Sequence, residues 1–174
     1  MTRLYTDEIR NAADTLRAGD MVALSGVVYT ARDAVHKIIK ETVENGGEAP
    51  FSLQDAVIYY AGPTQTPKGR VCGSFGPTTS GRMDAFTPLL LEMGIAATIG
   101  KGGRSAAVRE AIMRYRSPYF AALGGAGALA ASHIVKCEVI ALENLGCESV
   151  KRLVFDGFPL YVANDIFGGD IYVR

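Results

Sequence analysis

The sequence has no tryptophan, no excess of charge of either sign and no paired-cysteine motif, and each absence removes a class of function. Eighteen Lys and Arg balance eighteen Asp and Glu. A formal charge of zero argues against non-specific binding to nucleic acid or to an anionic membrane, which needs a clustered cationic excess. It leaves room for a small acidic ligand met by local clustering. Cys72, Cys137 and Cys147 are odd in number and show no C-x-x-C spacing. They read as free thiols of a reducing cytosol, without a disulfide framework or a metal-ligand set in this chain. The opening M-T-R-L-Y-T-D-E carries acids and no apolar h-region, so no secretory leader is expected. No run approaches the ~18 apolar residues of a membrane span. Ser-His-Asp order, H-E-x-x-H and metal-ligand clusters are absent, and the two histidines, His36 and His133, stand far apart.

What is present is a glycine-rich chain of 174 residues, 48% hydrophobic, long enough to bury one substantial core. Hydrophobic periodicity alternates strand and helix. Helices are expected over 6–18, 32–44, 84–93 and 105–115, with a small-residue helix start at 124–131. Strands are expected over 21–28, 56–60, 95–99, 119–123 and 137–142. A strand-rich tail follows at 153–155, 160–163 and 171–173, with turns at Gly157-Phe158-Pro159 and Gly168-Gly169. The stretch 63–70 is polar and proline-containing, hence a loop. With no repeat or linker, the pattern predicts one mixed α/β domain over residues 1–174.

The chain is organised around Gly76-Pro77-Thr78-Thr79-Ser80-Gly81-Arg82-Met83-Asp84. It follows an expected strand and opens an expected helix, so its hydroxyls would lie beside unpaired backbone N–H groups. Thr78 and Arg82, four apart, would share a helical face. That combination suits a carboxylate or a phosphate; a Ser/Thr helix cap with a surface arginine is the plainer reading. Arg32 and His36 are likewise one turn apart at a helix start, where a solvated arginine beside a half-buried histidine is the plain reading.

Two glycine-rich matches are poor. Gly94 to Lys101 has five residues between its glycines instead of the four of a phosphate-binding loop, and Gly102 replaces the Mg²⁺-ligating Ser/Thr. Gly125-Ala126-Gly127-Ala128-Leu129-Ala130 formally fits a dinucleotide fingerprint with Glu143 downstream. It comes too late in the chain for a second mononucleotide half, so close packing of helix on strand explains it as well. Gly100-Lys101-Gly102-Gly103 is placed better, with a lysine at the carboxyl end of a strand, where open α/β sheets gather ligands. Arg32, Arg82 and Lys101 could then converge on one edge, about as many cations as a dicarboxylate needs. No reactive centre accompanies them, so the set resembles half of an active site.

These motifs resemble the β subunit, or C-terminal domain, of the iron–sulfur-dependent class I fumarate hydratases and L(+)-tartrate dehydratases. The resemblance runs through Leu24-Ser25-Gly26, Ala31-Arg32-Asp33-Ala34-Val35-His36-Lys37 and Tyr60-Ala61-Gly62-Pro63. It continues through the G-P-T-T-S-x-R-M-D string, Gly100-Lys101-Gly102-Gly103, Gly124-Gly125-Ala126, Ala163-Asn164-Asp165 and Gly168-Gly169-Asp170. It implies a swivelling β/β/α three-layer fold and reversible hydration of fumarate to (S)-malate. It also implies a [4Fe-4S] cluster carried by a partner α subunit, with none bound here, and therefore a cytoplasmic hetero-oligomer, or a homodimer when isolated. By resemblance Thr78 takes the proton-transfer position, and Arg32, Arg82, Lys101 and Thr79 hold the substrate, with His36, Asp33 and Asp84 supporting them. The tail from Val162 to Asp170 looks more like the fumarase branch. Tartrate dehydration and a non-catalytic dicarboxylate-binding module are the alternatives.

Overall fold

A computed structural model describes residues 1–123 and 125–173; Gly124, the first glycine of the 124–131 stretch, and Arg174 lie outside it. The chain runs β1 (Thr2–Tyr5), α1 (Ile9–Ala12), β2 (Met21–Thr30), α2 (Asp33–Glu44), β3 (Val57–Tyr59), β4 (Ala61–Pro63) and β5 (Phe75–Pro77). It continues with α3 (Thr87–Glu92), β6 (Ala97–Gly100), α4 (Ala106–Tyr115), β7 (Tyr119–Ala121), α5 (Gly127–Ser132), β8 (Ile134–Ala141) and β9 (Val150–Asn164).

Strands β1, β2, β3, β6 and β7 pair in parallel in that order. β9 lies antiparallel to β7 and β8, and also to β2, which closes a ring of pairings β2–β3–β6–β7–β9. Alternation along the parallel strands separates two cores. Val57, Tyr59, Ala97, Ile99 and Phe120 point toward Phe155, Phe158 and Leu160 of β9. Ile58, Tyr60, Tyr119 and Ala121 point the other way, onto Val35 and Ile39 of α2, Leu90 of α3 and Ile112 of α4. The order is antiparallel strands, parallel sheet, helices, as expected for an α/β chain of β/β/α type.

Local departures have physical causes. The first helix is only a 3₁₀ turn over Thr6–Glu8 followed by α1. Both the N–H and the hydroxyl of Thr15 bond the Ala12 carbonyl, at 2.9 and 2.8 Å, and end it early. β2 extends past 28 because Tyr29 and Thr30 pair with Ile58 and Tyr59. Two of the three expected tail strands, 153–155 and 160–163, are one strand: β9 runs through Gly157-Phe158-Pro159, with Gly157 at φ +68° absorbing the irregularity. Residues 171–173 are not a strand; the Gly168-Gly169 turn is instead held by Asp165, whose carboxylate accepts from the N–H groups of Ala18, Phe167 and Gly169. Gly127 lets α5 press onto β5, where an added Cβ would stand 2.9 Å from the Gly76 nitrogen. Of the late glycines Gly127 is thus used for packing, whereas Gly125 stands at φ +76° with open space around it.

Candidate functional site

The organising motif does not open a regular helix. It leaves β5 extended, forms a 3₁₀ turn over Ser80–Met83, and reaches α3 only at Thr87. The Thr78 N–H donates to the Tyr60 carbonyl at 2.6 Å, and the Ser80 N–H to the Lys101 carbonyl at 2.9 Å. Two N–H groups of the expected cradle, those of Thr78 and Ser80, are therefore spent on stapling this segment to the carboxyl ends of β3 and β6. Thr78 and Arg82 do not share a helical face, and Thr79 precedes the turn without a capping side-chain bond. The reason is tertiary: pairing with neighbouring strand ends satisfies more groups than a short isolated helix would.

That stapling brings the expected residues to one edge. The Lys101 N–H donates to the Thr78 carbonyl at 3.3 Å, and Thr79 bridges Lys101 in parallel fashion. Arg32 follows β2 after one intervening residue, Ala31, as the residue capping α2, in extended conformation. Arg82 reaches the same helix start through Asp33, with Nε–Oδ1 at 3.0 Å and Nη2–Oδ2 at 2.7 Å. The edge is the carboxyl end of the parallel strands. Thr78 is half-buried and Thr79 exposed, whereas the third hydroxyl, Ser80, is buried and bonded to the Tyr119 hydroxyl at 2.8 Å.

Two of the three cations already face carboxylates of this chain. Asp33 orients Arg82, and Glu148 lies 3.3 Å from Arg32 Nη2. Among the described residues Lys101 is the one cation of the trio without an ion-pair partner. The Nε of Arg32 is buried and meets no acceptor. Glu148 was invisible to sequence reasoning, because it arrives from a loop over a hundred residues downstream, with no motif around it.

Behind the edge lies a polar hub. Arg104, whose side chain is 0% exposed, donates to Asp84 Oδ1 at 2.8 Å, Thr87 Oγ1 at 2.6 Å, Thr98 Oγ1 at 3.2 Å and the Tyr60 hydroxyl at 3.3 Å. Its guanidinium carbon lies 5.3 Å from the Tyr60 ring centre and 4.9 Å from that of Tyr119. Asp84 also accepts the Ser105 N–H at 2.6 Å. Asp84 thus faces inward and ties the organising motif to the G-K-G-G loop. Arg104 went unread, although its place directly after that loop was the available signal.

His36 is fully buried rather than half-buried. Its Nδ1 lies 2.8 Å from the Arg32 carbonyl. A carbonyl only accepts, so Nδ1 carries the proton and Nε2 is a bare lone pair without a partner. Burial pushes the imidazole pKa down to about 4, the bond to Arg32 opposing it, so the ring is neutral at pH 7. His36 therefore fixes the Arg32 main chain and does not touch its guanidinium.

Among the described residues no group of three or more His, Cys, Asp or Glu is placed to hold a metal. Cys72 is buried, its thiol pushed up to about 11 by desolvation, and Cys147 is exposed. The thiols do not fit an iron–sulfur ligand set. A cleft of about 550 Å³ lies between the 64–74 loop and α5, and none of the five edge residues Arg32, Thr78, Thr79, Arg82 and Lys101 lines it. No described helix is long and apolar enough to cross a membrane.

The Fumarase C-terminus family matches residues 1–174. Fumarate hydratase 2 of Leishmania major is 37% identical over 170 residues, 97% of this chain and 30% of that protein. The anaerobic class I fumarate hydratase of Escherichia coli K12 is 36% identical over 87% of this chain and 28% of its own length. A Methanocaldococcus jannaschii protein named "Putative L(+)-tartrate dehydratase subunit beta" is 39% identical over 90% of this chain and 84% of its own length. The chain thus spans under a third of these fumarate hydratases and most of the archaeal subunit. With its whole length matched and with relatives of both kinds, the chain belongs to the Fumarase C-terminus family of class I fumarate hydratases and tartrate dehydratase β subunits.

Proposed function

We propose that residues 1–174 form the β half of a cytoplasmic iron–sulfur hydro-lyase that hydrates fumarate to (S)-malate and is active only with an α subunit. The observation that carries this reading is a dicarboxylate-suited set, Arg32, Arg82, Lys101, Thr78 and Thr79, gathered on one edge with no reactive centre of its own. The [4Fe-4S] cluster belongs to the partner in this reading; among the described residues no group of three or more His, Cys, Asp or Glu is placed to hold a metal. No step is assigned to it through this chain.

The chain's own residues bind and orient. Arg82, gripped by Asp33 through Nε and Nη2, keeps Nη1 for a ligand, and Lys101 adds a point charge beside Thr79. Charge-assisted bonds from these cations stabilise the negative charge that develops on the substrate carboxylate during proton transfer. The Thr78 hydroxyl is too weak an acid to serve as a base unaided, so a partner carboxylate must accept its proton if it moves one. Truncating Arg32 or Arg82 to Ala removes about 1.5–3 kcal/mol per charge-assisted bond, raising KM and lowering kcat.

The test is co-production with the α partner, anaerobic cluster assembly and a fumarate hydration assay. Unchanged kcat/KM in Thr78→Ala and Arg82→Ala complexes would overturn the site assignment. Dehydration of L-tartrate is the second reading, favoured by the archaeal relative's closer match in length. The ratio of kcat/KM for malate to that for tartrate separates the two. Micromolar dicarboxylate binding by the chain alone would instead favour a non-catalytic binding module.

A further inference from the structure

We propose that Glu148 is a built-in competitor for the substrate carboxylate at Arg32, and that the strap over residues 143–149 sets how tightly the site takes a dicarboxylate. The inference rests on reading Arg32 as a substrate ligand.

The strap is a kinked 3₁₀ segment between β8 and β9. Leu142 enters it at φ +53°, and Gly146 kinks it at φ +58°, ψ −117°. It is fixed from below by Lys151, whose Nζ donates to the carbonyls of Gly146, Cys147 and Ser149 at 3.1–3.2 Å and to Ser149 Oγ at 2.8 Å. Ser149 Oγ in turn donates to the Gly146 carbonyl at 2.7 Å, and Thr30 Oγ1 donates to the Ser149 carbonyl at 3.4 Å. The strap's backbone also presses on β4: a Cβ on Gly62 would lie 2.8 Å from the Cys147 carbonyl oxygen and 3.5 Å from Arg32 Nη1. Burying an ammonium is costly without full hydrogen bonding. Here Lys151 meets four acceptors, and every one of them belongs to the segment that delivers Glu148.

The carboxylate so delivered is a poor match for the arginine. Glu148 is paired through Nη2 at 3.3 Å, while the neighbouring Nε stays buried without an acceptor. A guanidinium binds a carboxylate best through two parallel bonds. Glu148 makes an ion-pair contact with Nη2 and no hydrogen bond to the fork, so a free carboxylate that displaced it could form both bonds of the Nε–Nη2 fork. Asp33 contrasts with it, filling the equivalent fork of Arg82 with two bonds. Asp33 therefore orients its arginine, whereas Glu148 occupies one that a better ligand can take over. Both side chains of the Glu148 pair are about three-quarters buried, at 24% and 25% exposure, so the contact is only partly screened by solvent.

A competitor lowers apparent affinity by the fraction of molecules in which Arg32 is engaged. For a part-exposed pair this corresponds to about fivefold. The experiment is steady-state kinetics of the assembled complex with malate and with fumarate. Glu148→Gln keeps the side chain's shape and removes its charge. KM is expected to fall about fivefold for both substrates, with kcat within twofold of the parent. In an Arg32→Ala background the same change should leave KM unmoved, because there is no arginine to release. A KM that rises or stays constant in Glu148→Gln overturns the proposal, and so does an equal fall in the Arg32→Ala background. If Arg32→Ala alone leaves KM unchanged, the reading of Arg32 itself has failed, and this inference with it. If Arg32→Ala raises KM while Glu148→Gln does not lower it, the inference alone has failed.

Discussion

A neutral histidine buried beneath an arginine's main chain gives this protein a pH dependence of defined sign. The folded His36 titrates at about 4 and the unfolded one at 6.5, because burial opposes its charging more than the bond to Arg32 and the nearby Asp33 favour it; Arg104 also opposes it. As pH falls, the unfolded chain takes up the proton first. The stability His36 contributes is therefore complete above about 6.5, declines through the window down to about 4, and levels off below. Urea unfolding at pH 7.5 and 4.5 should differ by roughly 2–3 kcal/mol from this group, and His36→Phe should flatten the slope. Asp165 acts lower: burial raises its carboxyl, but backbone N–H groups of Ala18, Gly169 and Phe167 outweigh that, so its contribution is lost only below the ordinary carboxylate range. Arg104→Met should be more severe. It leaves the Asp84 carboxylate, 14% exposed, without its partner, and a loss of about 3–5 kcal/mol in the urea midpoint analysis is expected. That Arg32, Thr78, Arg82 and Lys101 would stand on one edge was legible in the sequence, because each falls at the junction between an expected strand and the element after it. Asp84 was legible only as a name, since its inward direction depends on Arg104, and Glu148 was not legible at all.

At the scale of elements, the strap over 143–149 should behave as a unit held by one ammonium. Lys151→Met leaves three backbone carbonyls short of a donor, at a cost of about 1–3 kcal/mol. The Ser149 amide, bonded to the Gly146 carbonyl at 3.1 Å, should then exchange with solvent faster, while amides of β3 and β6 keep their protection. The sequence marked α2 and α4 well, because each is amphipathic and bounded by clear signals, Asn45-Gly46 after α2 and Ser105 before α4. It misread β9, because Gly157 and Pro159 are breakers locally yet sit in a strand whose two halves serve different partners. β9 pairs β8 over its first part and β7 over its last, with β2 along most of its length. Burial alternates on each side of the irregularity, through Leu153 and Phe155 before it and Phe158, Leu160 and Val162 after it, but Asp156 and Gly157 shift the alternation by one residue. The helix expected at the organising motif failed for a related reason: strand ends three-dimensionally adjacent but distant in sequence claimed its N–H groups.

For the whole molecule, the closed ring of β2, β3, β6, β7 and β9 gives the edge residues a stiff platform. Their cations project from one side of it, with the carboxylates of Asp33 and Glu148 beside them and, among the described residues, no group of His, Cys, Asp or Glu placed to hold a metal. The mixed α/β class followed from the alternation of periodicities, the β/β/α layering was expected only from the family resemblance, and ring closure through β9 could not be read at all, since nothing local encodes which strand a long antiparallel segment will pair. The central claim is that this chain supplies the carboxylate-binding half of a site whose other half is on a partner. Its most direct test is anaerobic fumarate hydration measured for this chain alone, the α subunit alone, and both together with and without Arg32→Ala. The account predicts activity only in the mixture, with kcat/KM cut about 10- to 100-fold by the substitution. Hydration by either chain alone, or an unchanged kcat/KM in the Arg32→Ala complex, would contradict it.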